Sequence, residues 1–109
     1  MHSLLSKLLA RAWRECAVLT QPLEDGLQLL VYPDGDDALV GIGYGRTEAH
    51  RLTPEELLRR RSARIATLGA WLPACFIDGS AYLVRRIAGA QSDSWPGDAE
   101  LAAVRELLA

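Results

Sequence analysis

Residues 27–46 read LQLLVYPDGDDALVGIGYGR. Two stretches of alternating side chains flank a turn-rich centre, which restricts the chain to folds built on an antiparallel sheet. Strand side chains alternate with period two. In the first stretch Leu27, Leu29 and Val31 therefore share one face, and Gln28, Leu30 and Tyr32 share the other. In the second, Val40, Ile42 and Tyr44 oppose Gly41, Gly43 and Gly45. Pro33, Asp34, Gly35 and Asp36 supply the backbone angles and side-chain acceptors of a turn. Strands are expected over 27–32 and 38–44. The glycines could suggest a phosphate cradle, but the spacing is G-x-G-x-G, RTEAHRLTPEE intervenes before the next helix, and the lysine of a Walker motif is missing. A packing role is expected instead: a strand face without side chains lets a helix or a guest segment approach closely.

The flanking sequence supplies the remaining layers. Over residues 3–17, Leu4, Leu5, Leu8, Leu9, Ala12, Trp13 and Cys16 fall on one side at helical spacing, with Ser3, Lys7, Arg11 and Arg14 opposite. Ser3 is the expected N-cap. Residues 18–26 contain Pro22, which suits an edge strand or a loop. Thr53-Pro54-Glu55-Glu56 is a capping box with proline at the first helical position and acids at the positive end of the helix dipole. That helix is expected to reach Leu68, with Gly69 as a left-handed cap. Its apolar side is Leu57, Leu58, Ile65 and Leu68. WLPACFIDGSAYLVRRI reads as a second hairpin turning at Asp78-Gly79, with Pro73 placing its first strand at an edge. The connector AGAQSDSWPG leads to a last helix over 98–108, with Asp98 as N-cap and Leu101, Val104, Leu107 and Leu108 on one side. The order α-β-β-β-α-β-β-α predicts a single α+β domain over 1–109, an antiparallel sheet of 4–5 strands covered by helices.

Charge is unevenly spread. No Lys or Arg occurs between Glu15 and Gly45, which carry six acids, whereas 46–64 hold six arginines against Glu48, Glu55 and Glu56. Arg59, Arg60, Arg61 and Arg64 on one helix offer an alternative function, contact with nucleic-acid phosphates. A net charge of −2 and the absence of interleaved aromatics weigh against it. His2, His50, Cys16 and Cys75 lie far apart with no metal-ligand spacing, so no metal or other cofactor is expected. No G-x-S-x-G occurs, and Asp34, Asp36 and Asp37 lack the spacing of a calcium loop. An enzyme is therefore not expected. Cys16 and Cys75 are expected to be buried thiols of a reduced compartment. No apolar run approaches the roughly 18 residues that span a bilayer, and a cytoplasmic location is expected. Trp71 and Trp95 are candidate anchors at a protein interface.

The order of elements resembles the small, acidic class I chaperones of bacterial type III secretion systems. LQLLVYPDGDDALVGIGYGR is similar to their second and third strands with the acidic turn between. LTPEELLRRRSARIATL stands where their middle helix stands, and FIDGSAYLVRRI where their last two strands stand. The likeness spans nearly the whole chain as a pattern, without a diagnostic short motif. Departures are the first strand interrupted by Pro22, the short last helix and the small size, which also bring in the chaperone-like regulators of plant-pathogen-type secretion clusters. The resemblance implies a non-catalytic module that holds a segment of a secreted or regulatory protein, as a homodimer or heterodimer and without a membrane. The expected partner groove is Leu4, Leu8, Leu29 and Val31, and the expected dimer interface Ile65, Leu68 and Trp71.

Overall fold

A computed structural model describes residues 1–89 and 92–109; within the connector AGAQSDSWPG, positions 90 and 91 lie outside the described residues. The elements are α1 (His2–Glu15), β1 (Leu19–Pro22), β2 (Leu27–Asp34), β3 (Asp37–Tyr44), α2 (Pro54–Ala63), α3 (Ile65–Leu68), β4 (Leu72–Cys75), β5 (Ala81–Ala88) and α4 (Asp98–Leu108), with short 3₁₀ turns at Glu24–Gly26, Arg46–Arg51 and Ser92–Ser94. The expected α+β order holds. The five strands form one antiparallel sheet in the order β1-β2-β3-β5-β4.

The first hairpin is longer and tighter than the sequence suggests. Pairing continues to Asp34↔Asp37, so only Gly35 and Asp36 form the turn, and Gly35 takes the left-handed φ of +60° that a two-residue hairpin requires. Prolines stay at the sheet margins: Pro22 ends β1 and Pro73 lies in β4, the two edge strands.

Sheet register sorts side chains onto two faces. Leu27, Leu29 and Val31 pair with Tyr44, Ile42 and Val40, which pair in turn with Ala81, Leu83 and Arg85. On this face Leu29, Val31, Val40, Ile42 and Leu83 are fully buried. They form one apolar cluster with Leu5, Leu8, Leu9 and Ala12 of α1 and with Leu101, Val104, Leu107 and Leu108 of α4. Both helices therefore cover the same face, and Tyr44 fixes α4 there by donating its hydroxyl to the Leu108 carbonyl (3.1 Å).

The helix ends differ from expectation in detail. The α2 capping box forms as read: Thr53 Oγ1 accepts the Glu56 N–H at 3.2 Å. The helix breaks at Arg64 (φ −119°, ψ 23°), and the single turn α3 redirects the chain so that Leu68 and Trp71 reach the core. Gly69 is right-handed (φ −62°), not a left-handed cap. Ser3 and Asp98 lie inside their helices, with Met1 and Gly97 at the cap positions.

The left-handed cap occurs instead at Cys16 (φ 50°, ψ 46°). Its N–H bonds the Trp13 carbonyl and the Ala17 N–H bonds the Ala12 carbonyl, the two-bond closure that normally ends on glycine. A β-carbon in this conformation costs on the order of 1 kcal/mol. Cys16→Gly is expected to stabilise the fold by about 0.5 kcal/mol after the added chain entropy is counted. An unchanged or lower urea midpoint, at constant slope, would contradict this. Cys16 and Cys75 are both exposed, not buried as expected, because each falls at the margin of its element, away from the helix–sheet interior.

Candidate functional site

The second face of the sheet carries no helix among the described residues. Leu30, Tyr32, Leu39 and Val84 project from it, and Tyr32 is half exposed. Val18 and Thr20 on the β1 side and Ala74 and Phe76 on the β4 side raise its margins, giving a trough of about 640 Å³ whose lining is predominantly apolar. Polar groups gather at one end, where Arg46, Gln28, Asp78, Ser80 and Tyr82 meet.

The glycine column lies along the middle of this trough and its role is now visible. Gly43 pairs with Tyr82 on one side and Gln28 on the other. A β-carbon on Gly43 would come within 2.7 Å of the Tyr82 ring and 2.3 Å of the Ala81 carbonyl. The ring crosses the strand at that point, and its hydroxyl donates to Gln28 Oε1 at 3.0 Å. Phe76 meets the same ring edge-on at 5.4 Å between centroids. Glycine at 43 thus makes room for an aromatic bridge over three strands, and no anion is cradled there. Burial first, and the nearby Asp78 carboxylate second, push the Tyr82 phenol up, which keeps it protonated as a donor.

The β4–β5 turn closes the polar end. Asp78 Oδ1 accepts the Ser80 hydroxyl at 2.5 Å and the Ser80 N–H at 2.9 Å. These bonds, with a smaller contribution from the Arg46 charge, hold the Asp78 carboxyl below the ordinary carboxylate range. Ser80 is buried and satisfied in this way, a turn constraint with no nucleophile geometry. Ile77, next to it, stands fully in solvent.

The residues expected to form the partner groove are elsewhere. Leu8, Leu29 and Val31 are buried in the helix–sheet core and Leu4 packs against it half-buried. Both leucines of α1 face the sheet, so a groove between them and β2 is already filled by the fold itself. Of the expected dimer interface, Leu68 and Trp71 are buried, and Ile65 alone is exposed, near the exposed Leu58 and Leu72. Trp95 is half-buried against Trp13 at 5.9 Å and donates its indole N–H to Ala88.

The arginine helix is largely engaged in the fold. Arg60 Nη1 donates to the Leu107 and Leu108 carbonyls (3.0 and 3.2 Å), capping α4 from outside, and its Nε meets Glu56. Arg61 donates to the Trp71 and Gly69 carbonyls (2.8 and 3.1 Å), fixing the α3–β4 connection. Arg59 pairs with Glu56. Among the described residues, no three His, Cys, Asp or Glu side chains converge where a metal could be held, and no helix is long and apolar enough to cross a membrane.

The sequence did contain a signal for the trough. Strands buried on both faces read as near-continuous apolar runs, whereas half-exposed strands alternate with polar residues. LQLLVY, ALVGIGY and AYLV are apolar on both faces, yet the helices cover one. No protein-family model, curated protein or solved structure matches the chain.

Proposed function

We propose that this chain is a non-catalytic protein-binding module, a type III secretion chaperone or chaperone-like regulator, which holds a segment of a secreted or regulatory protein on the uncovered face of its sheet. The observation that carries the reading is the mismatch between strands apolar on both faces and helices on one. Contiguous apolar surface rimmed by polar groups marks interaction sites, and this trough has aromatic rims at Tyr32 and Phe76, a residue class enriched at binding hot spots. The secretion-chaperone assignment rests on the resemblance in element order; the binding face rests on the trough.

The test is co-purification from the native host with the tagged chain and with Leu39→Glu and Val84→Glu. Both positions lie on the open face, so folding should persist by circular dichroism while the bound protein is lost, a reduction of about tenfold or more for a charge placed in an apolar contact. Undiminished recovery of the same protein with both variants would refute the assignment of this face.

A further inference from the structure

We propose that the trough takes an amphipathic helix of the partner, laid along the strands with a carboxylate at the end that reaches Arg46. This rests on the binding face proposed above and adds the shape and charge of what occupies it.

Shape follows from backbone hydrogen bonding. A strand-like guest would add to a sheet edge, but each edge strand here has four residues and carries a proline, Pro22 in β1 and Pro73 in β4. On the face itself the backbone groups of β2, β3 and β5 are already paired within the ladder. An extended segment lying there would find no partners for its own N–H and C=O groups on the sheet side. A helix satisfies these groups internally and needs only an apolar stripe. The eight-residue strands β2, β3 and β5 span about 27 Å, the length of about 18 helical residues. Leu30, Leu39 and Val84 form the floor, the same pattern of small and branched side chains that receives α1 on the opposite face.

Charge sets the direction. Arg46 follows β3 at one end of the trough, is exposed, and has no carboxylate within ion-pair distance among the described residues. The acid on the same end, Asp78, is held by Ser80. At the opposite end Arg86 lies between Asp34 (2.9 Å) and Asp37 (3.2 Å), two carboxylates on one cation. The face is thus positive at one end and net negative at the other. A helix carries partial positive charge at its N-terminus and partial negative charge at its C-terminus. Its C-terminal end, with an acidic side chain in the last turn, fits over Arg46, and its N-terminal end fits over the aspartates. A fatty-acid-like amphiphile would match Arg46 and the floor but leave the acidic end unmatched.

The probe is a hydrocarbon-stapled helix of about 18 residues with leucines along one stripe, made with Glu, Gln or Lys in its last turn, alongside an unstapled copy broken by a central proline pair. Binding is followed by amide chemical shifts and by fluorescence titration. The Glu helix is expected to shift Leu30, Leu39 and Val84, and to bind about threefold tighter than the Gln helix. The broken copy should bind about tenfold more weakly. Arg46→Glu should reverse the order so that the Lys helix binds best. The proposal is overturned if the Glu-to-Gln ratio survives Arg46→Glu, if the broken copy binds equally well, or if dodecanoate and no peptide shifts the floor. If Leu39→Glu releases the cellular partner while Arg46→Glu leaves the peptide ratio unaltered, the helix and its carboxylate are wrong and the binding face stands; if neither happens, both fail.

Discussion

Replacing Trp71 by alanine is expected to lower the unfolding free energy by about 3–5 kcal/mol, a large share of the 5–15 kcal/mol a domain typically holds. Trp71 is fully buried, and three elements meet on it. Its carbonyl receives Arg61 Nε from α2 (2.8 Å), and its indole N–H donates to Glu100 Oε2 of α4 (2.8 Å). The same Glu100 oxygen accepts Arg85 Nη1 of β5 at 2.5 Å. Alanine would therefore leave a cavity and remove one support from a carboxylate already shared with an arginine. Trp71→Phe separates the two effects. It retains most of the volume and loses only the donor, so about 1–2 kcal/mol is expected. Urea unfolding followed by far-ultraviolet circular dichroism measures both. A Trp71→Ala midpoint equal to that of the parent would mean that the tryptophan does not occupy the core.

The second large effect distinguishes the two faces of the sheet. Leu29 and Leu39 lie on adjacent strands and look equivalent in composition. Leu29→Asp would place an unpaired carboxylate among Leu5, Leu9 and Ile42, all fully buried, at a cost of several kcal/mol, and no folded protein is expected. Leu39→Asp places the same group in the open trough and should change stability by less than about 0.5 kcal/mol. Thermal scans of the two purified variants provide the comparison. Equal loss in both would mean that the second face is also covered.

The same pair of residues marks where sequence reading succeeds and where it stops. Period-two alternation assigned Leu29 and Leu39 to their strands, and the capping box at Thr53, the turn at Asp78-Gly79 and the periodicity of 98–108 located their elements, because each is a local backbone preference. Which face a helix will cover is not local. It depends on where α1 and α4 return after long connections, and nothing within LQLLVY distinguishes its two apolar sides. The expected groove at Leu4, Leu8, Leu29 and Val31 went to the interior for this reason. The break at Arg64 was equally hidden, since the apolar spacing Leu57, Leu58, Ile65, Leu68 fits one continuous helix, whereas Arg61 and Trp71 draw the chain round earlier. Cys16 took the position of a helix-ending glycine, which no cysteine signals.

Pro22 and Pro73, at the two outer strands, have a consequence for the chain while it waits alone. An uncovered greasy sheet invites stacking, and stacked sheets become fibrils once their margins also recruit further copies strand by strand. Here each margin is four residues long and lacks an amide donor, so layers can meet face to face but cannot lengthen sideways. Self-contact at high concentration should then stop at small, reversible clusters and not seed ordered aggregates.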